Sequence, residues 1–234
     1  MSGFVNTFLL ALLLLQSPAI ANQTGIIESK HASEDVKLQL DPSIPFWKMS
    51  APIYLELNSF GKPVPGYRTE VRTRWTRTNL YLLFICPYEE LHLKPQPNTQ
   101  QETNQLWNWD VAEAFIGSDF ADIKRYKEFE ISPQGEWVDL DIDLHKPHHE
   151  DGWTWNSGFE VVTRIDAQQH LWYGAMRIPF SAIDQHPPTP GTKLRINLFR
   201  SGGPADHPYS LTWQPPMNKT FHTPERFGLL KLID

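Results

Sequence analysis

The chain has 234 residues, which is enough for one larger all-β domain or for two small domains. Lys and Arg total 21 against 27 Asp and Glu, giving a formal net charge of −6. This balance argues against non-specific nucleic-acid binding, which relies on clustered cations. Nine Trp, together with 20 Pro against 13 Gly, favour strands and rigid loops over helices.

The N-terminal segment has the features of a secretory signal peptide. The first 21 residues carry no charged side chain, and residues 8–15 form an apolar run. Residues 19–21, Ala-Ile-Ala, fit a small-x-small cleavage site. Residues 1–21 are therefore interpreted as a signal peptide cleaved near Ala21, which predicts a secreted protein, extracellular or periplasmic. The alternative is an uncleaved N-terminal anchor, and no later segment is long and apolar enough to span a bilayer.

The remaining chain alternates short apolar runs with turn signals. Residues 22–45 are polar and are predicted to be an N-terminal arm or a loosely attached first strand. From residue 46 onwards, about ten strands and almost no amphipathic helix predict an all-β domain, an antiparallel β-sandwich or jelly roll spanning 46–234. The predicted strands are 53–57, 69–76, 80–86, 111–116, 126–132, 136–144, 159–165, 171–178, 193–200 and 227–233.

The single cysteine, Cys86, lies in one of these strands, so no intrachain disulfide is predicted. A buried strand cysteine usually behaves as a small hydrophobic residue.

Three long loops, at 88–105, 145–158 and 201–224, carry or border five tryptophans. Sugars bind to aromatic platforms that cover their apolar C–H faces, flanked by polar groups that pair with hydroxyls. Core strands do not require Trp at loop positions, so a platform role for at least one of them is a hypothesis. The five are Trp107, Trp109, Trp153, Trp155 and Trp213.

The segment 106–116 combines aromatic and acidic side chains at the start of a strand. Trp107 precedes Asp110 and Glu113, and aromatic faces beside carboxylates are what a sugar site needs. The alternative is that both tryptophans of this segment are core residues and both acids are solvated.

Two other clusters contain groups that bind metals. Asp139, Asp141 and Asp143 share a strand face at about 6–7 Å spacing, which is too wide for one calcium ion without help from a loop. The His-rich run 145–151 contains Pro147, which rules out a helical pair of zinc ligands. Solvated surfaces are the expected state of both, so the metal ligands remain unassigned.

The sequence does not favour an enzyme. Asp110 and Glu113 could approach the carboxylate spacing of a glycosidase, but both lie on one short segment. If the chain is catalytic, the expected class is a hydrolase acting on glycosidic bonds.

In order and spacing, several short pieces resemble the carbohydrate-binding module family 9-like domains, a branch of the wider DOMON-like β-sandwich group. The resemblance runs through almost all of the chain after the signal peptide. The pieces are Leu80, Tyr81 and Phe84; Leu106, Trp107, Asp110 and 113–116; Tyr126, 128–133 and Gly135; 176–180; Gly191 and 197–200; 209–213; and 224–228.

The resemblance implies a non-catalytic sugar binder that supports breakdown of xylan or cellulose. In such modules two Trp sandwich a sugar, and acids, amides and Arg bind its hydroxyls. By position, Trp107 and Trp213 are the implied platforms and Glu113 the implied acid, while Ile116 stands where a binding amide would be expected. The further polar partners are Asp110, Asn197 and Arg200.

No cofactor is assigned by the residues themselves, and the resemblance implies structural calcium in some members. The implied partners are an oligo- or polysaccharide and a separate glycoside hydrolase, with no nucleic acid.

Three rival functions stay open. An interaction or envelope module without a sugar site would have Trp107 and Trp213 buried and far apart, whereas rings facing across a sugar-sized gap would reject it. An electron-transfer sandwich would need axial haem ligands such as Met176 and His222. A glycoside hydrolase acting alone would release reducing sugar.

Overall fold

The computed structural model describes residues 25–234, so the predicted signal peptide and its cleavage site lie outside the described residues. Within this range, twelve strands and two one-turn helices follow one another. The strands are β1 Ile26–His31, β2 Ile53–Leu55, β3 Thr69–Trp75, β4 Asn79–Pro87, β5 Val111–Gly117, β6 Arg125–Ile131, β7 Trp137–Asp143, β8 Glu160–Asp166, β9 Leu171–Pro179, β10 Lys193–Gly202, β11 Tyr209–Thr212 and β12 Gly228–Ile233; the helices are α1 Pro45–Lys48 and α2 Phe180–Ile183.

Ten of the strands form one continuous sheet in the order β7-β6-β5-β10-β12-β1-β3-β4-β9-β8, with β11 paired to β10 and β2 to β3. One buried apolar cluster combines side chains from both halves of this order, such as Ala114 and Leu198 from one half and Leu82 and Met176 from the other. The two halves therefore pack face to face around a common inner core, which confirms the predicted all-β sandwich.

The alternation of side chains explains why these segments are strands. Successive residues of a strand point to opposite faces, so each strand supplies one set to the inner core and one set to the outer surface. On β5, Ala112, Ala114 and Ile116 join the inner core, whereas Val111 and Phe115 join a second cluster.

Strand β1 lies within the segment predicted as an arm or a loosely attached first strand. It pairs in parallel with β12 over 26–30 and with β3 over 30–31. Both edges of β1 are hydrogen-bonded, so this part of the segment is a central strand that joins the two halves of the sheet. These parallel pairs are exceptions to the antiparallel pairing of the other strands.

Each half of the sandwich also has a covered outer face. The segment that contains α1 covers β4 and β9, where Leu38 and Trp47 pack on Tyr81 and Leu83. On the opposite side, Phe115, Leu140 and Phe199 form a cluster under the long loops. The long loops leave a cavity on this second outer face.

Cys86 is buried in the inner core and free, as predicted. Among residues 25–234, no helix is long and apolar enough to cross a membrane.

Candidate functional site

A cavity of about 490 Å³ lies on the outer face of the β7-β6-β5-β10 half. Glu113 of β5 and Glu128 of β6 reach it from the sheet. Trp107, in the 3₁₀ turn Leu106–Asn108, borders it before β5 begins, and Phe221 borders it from the loop before β12. The cavity volume falls within the range of small-ligand sites.

Strand register decides which side chains reach the cavity. Glu113 pairs with Glu130 on β6 and with Phe199 on β10, and Phe115 pairs with Glu128. Paired residues of neighbouring strands point to the same face. Val111, Glu113 and Phe115 therefore share the outer face with the acids of β6, while the alternate residues of both strands face the inner core.

Aromatic rings form one wall of the cavity. Phe221 stacks on Phe199 with ring centroids 4.3 Å apart and an interplanar angle of 8°. His222 lies over Phe115 at 5.3 Å, and its Nδ1 is 2.6 Å from the hydroxyl of Tyr126. Burial, reinforced by the neighbouring His149, lowers the pKa of His222 to about 4. His222 is therefore neutral at physiological pH, and the rings of this wall carry no charge.

Three glutamates form the floor beneath this wall. Carboxylate oxygens of Glu113, Glu128 and Glu130 all lie within 4.8 Å of one another, and the residues are 2%, 3% and 0% exposed. Burial raises the pKa of all three carboxyl groups, to about 7 for Glu128, and the neighbouring carboxylates raise those of Glu113 and Glu130 further. The floor therefore concentrates buried carboxyl groups, and burial favours their neutral form.

The structure brings Trp107 and Glu113 together and leaves Trp213 elsewhere. Trp107 is partly exposed at the cavity, whereas Trp213 is 3% exposed and belongs to the inner core. The backbone N–H of Trp213 bonds to the carbonyl of Leu198, an inner-core residue, and its ring packs so closely on Gly228 that an added Cβ would lie 2.4 Å from it. The expected Trp107–sugar–Trp213 sandwich is therefore not formed, because the sheet separates the two rings.

Asp110 is buried behind the cavity and braces two loops. Its Oδ1 accepts hydrogen bonds from the backbone N–H groups of His92 at 3.2 Å and Gly203 at 2.8 Å. Burial raises the pKa of its carboxyl group, an effect opposed by these two bonds. Asp110 does not line the cavity and instead ties the 88–105 loop to the 201–208 segment.

Asn197 and Arg200 are also used within the fold. Asn197 donates from Nδ2 to the carbonyl of Gln214 at 2.8 Å and accepts at Oδ1 from the N–H of Gln214 at 3.0 Å. Arg200 is fully buried on the inner side, where its guanidinium donates to Thr69 Oγ1 at 3.0 Å and to Tyr209 Oη at 2.5 Å. Neither side chain lines the cavity. In this structure both act as internal braces in place of the sugar contacts implied by the resemblance.

The aspartates of β7 do not converge. Asp139 is buried and accepts from the backbone and hydroxyl of Ser157, so the expectation of a solvated side chain is wrong for this residue. Asp141 bonds to Lys127, and Asp143 lies 3.6 Å from Arg125. The three carboxylates are thus held by three separate partners.

The haem alternative lacks its ligand pair. Met176 is buried in the inner core, whereas His222 lies at the outer-face cavity. The sheet separates these residues, so they cannot bind the same iron.

The sequence interpretation missed Glu128, Glu130 and Phe221. A signal for the two acids was present, because Phe129 and Ile131 are apolar and the acids alternate with them. No local pattern distinguishes Phe221 from other loop aromatics, since its position depends on how the 213–227 loop folds back over β10.

Comparisons with known proteins agree with this architecture. No protein-family model matches the chain. An "Extracellular protein" of Arthroderma benhamiae is 25% identical over 192 residues, covering 75% of this chain and 85% of that protein.

Solved structures give the fold. A family 9 carbohydrate-binding module from Caldicellulosiruptor kristjanssonii, in complex with cellotriose, superposes with a TM-score of 0.62 at 14% identity, covering 89% of this chain and 93% of the module. The chain has the fold of the family 9 carbohydrate-binding modules. A second structure, of a Bacteroides uniformis protein described as carbohydrate-binding by inference, superposes on this family 9-like domain with a TM-score of 0.69. The two are 16% identical, and the match covers 88% of this chain and 98% of that protein.

Proposed function

We propose that this family 9-like domain is a secreted, non-catalytic carbohydrate-binding protein whose ligand occupies the outer-face cavity. The observation that carries the proposal is the combination of aromatic side chains and buried carboxylates around one cavity. Trp107 and Phe221 offer apolar surface beside Glu113 and Glu128. An aromatic face covers the C–H side of a sugar ring, while carboxylates accept from its hydroxyls.

The cavity and the comparisons support a short sugar as the ligand. A volume of about 490 Å³ suits one or two sugar rings better than a long chain lying in an open groove. The module from Caldicellulosiruptor kristjanssonii was solved with cellotriose and with glucose. We therefore propose the end of a cello- or xylo-oligosaccharide as the ligand, with polysaccharide breakdown by a separate hydrolase as the setting.

Trp107 is the proposed platform, without Trp213 as its partner. Phe221 and His222 border the same cavity and offer apolar ring surface where the second tryptophan was expected. Trp107 has the largest ring of the three, which makes it the main proposed energetic contributor to binding, as aromatic hot spots are in other interfaces.

Calorimetry with cello- and xylo-oligosaccharides tests the proposal. Replacing Trp107→Ala is expected to cost about 2 kcal/mol or more of binding free energy, which is roughly a 30-fold loss of affinity. Trp109→Ala is the matched control, because Trp109 packs on His92 with ring centroids 4.6 Å apart and does not line this cavity. Equal affinity of the wild type and Trp107→Ala would reject the site.

The interaction module remains the second candidate, because the structure does not show two tryptophan rings facing across a sugar-sized gap. Trp213 is buried, as that function requires, whereas Trp107 is partly exposed. A protein that binds none of the oligosaccharides in a broad glycan screen would favour this candidate.

A further inference from the structure

The floor of the cavity has an unusual charge arrangement. Glu113 and Glu130 are direct cross-strand partners in the β5–β6 pair, and Glu128 approaches both to within 4.8 Å. Like charges directly opposite each other destabilise a sheet, and burial strengthens their repulsion. A structural role alone does not explain three acids here, since apolar side chains would fill the same positions without repulsion.

A second observation concerns their hydrogen bonding. Both carboxylate oxygens of Glu130 and Oε2 of Glu128 are buried and, when the acids are ionised, have no hydrogen-bond donor among residues 25–234, because Glu128 and Glu130 face each other. None of the ion pairs formed within that range includes any of the three glutamates. Buried acceptors are normally satisfied, and orphaned ones indicate a missing donor or an ion.

We infer that Glu113, Glu128 and Glu130 bind one divalent cation of the calcium class at the floor of the cavity. Calcium takes carboxylate oxygens at about 2.3–2.6 Å, so two ligands on opposite sides of the ion lie up to about 5 Å apart. A set whose oxygens all fall within 4.8 Å of one another matches that spacing. The ligands are all oxygen, which favours calcium, magnesium or manganese over zinc.

The inference concerns the ion alone and does not require a bound sugar. Each carboxylate has two oxygens, so Glu113 and Glu128 can bind the ion with one and still face the cavity with the other. Glu130 does not line the cavity and lies beneath it. A change at Glu130 therefore alters the ion site without removing a group that faces a ligand.

The test uses chelator-treated mature protein titrated with calcium chloride by calorimetry, together with thermal unfolding with and without calcium. The wild type is expected to bind calcium and to unfold at a higher temperature in its presence. Glu130→Gln is expected to lose at least about tenfold in calcium affinity, the loss that even outer-shell changes cause. Without calcium it is expected to unfold at a temperature no lower than that of the wild type, because the neutral amide does not repel Glu113 and Glu128.

Asp141→Asn is the matched control. Asp141 is an exposed acid on the next strand that bonds to Lys127. The Asp141→Asn variant should keep the wild-type calcium affinity. If Glu130→Gln does not fold, Glu128→Gln is tested in the same way.

Two results would overturn the inference. One is a wild type that binds none of calcium, magnesium and manganese at millimolar concentration. In that case, protons shared among the carboxyl groups would relieve the repulsion between them. The other is unchanged calcium affinity in the glutamate variants, or an equal loss in Asp141→Asn, which would place the ion elsewhere.

Discussion

Trp107 and Trp213 lie on opposite faces of the same half of the sandwich. Trp107 borders the outer-face cavity beside Glu113, and Trp213 packs in the inner core against Gly228. The two tryptophans implied as partners in sugar binding therefore lie in different places, one at the cavity and one in the core. Mutations should separate their roles.

Trp213→Ala is expected to destabilise the protein without a matching loss of sugar affinity. Truncating a buried tryptophan leaves a cavity and costs about 3–5 kcal/mol of unfolding free energy. Urea unfolding measures the loss, and calorimetry at a temperature where the variant is folded measures binding. A fall in affinity as large as that of Trp107→Ala, with stability unchanged, would return Trp213 to the binding site.

The sequence predicted most strands because their periodicity is local. The runs at β3 and β4, for example, alternate or remain apolar over their whole length, and turn residues separate them. The place of β1 could not be derived in this way. It is short, and its neighbours β12 and β3 are distant in sequence and parallel to it, so no turn links it to either strand.

The site was harder to predict because it depends on register. Glu113 was identified from its own segment, but its neighbours Glu128 and Glu130 follow from the pairing of β5 with β6. Arg200 also depends on register: the resemblance implied it as a sugar contact, but its side chain is buried on the inner side of the sheet. It lies next to Phe199 on β10, and a shift of one residue moves a side chain to the other face of the sheet.

Asp110 is expected to act through the loops that it braces. Asp110→Ala leaves the backbone donors of His92 and Gly203 without their acceptor, which should cost about 2 kcal/mol of unfolding free energy. Asp110→Asn keeps an acceptor oxygen and removes a buried charge, so its stability should stay close to that of the wild type. Denaturant titration compares the two, and equal losses would contradict the bracing role.

Asp35 predicts a pH dependence of stability. Burial raises the pKa of its carboxyl group, but hydrogen bonds from Thr76, Thr78, Asn79 and Tyr81 outweigh this and lower it to about 2. A carboxyl group with a depressed folded-state pKa stabilises the fold above its unfolded pKa, here 3.8. That contribution is lost as the pH falls towards about 2.

Asp35→Asn should therefore be less stable than the wild type at pH 7, by about 1 kcal/mol, because Asp35 itself is exposed although Thr76 and Tyr81 are buried. The difference should shrink as the pH is lowered from about 4 to about 2. Thermal unfolding across this range measures it, with the exposed Glu34→Gln as control. A difference that does not change with pH would show that the carboxylate is not the source of the effect.

A crystal structure of the protein with cellotriose would show whether the outer-face cavity holds the sugar. We expect a terminal sugar ring against Trp107, with its hydroxyls within hydrogen-bond distance of Glu113 or Glu128. Sugar bound on any other face, with this cavity empty at a saturating concentration of cellotriose, would contradict it.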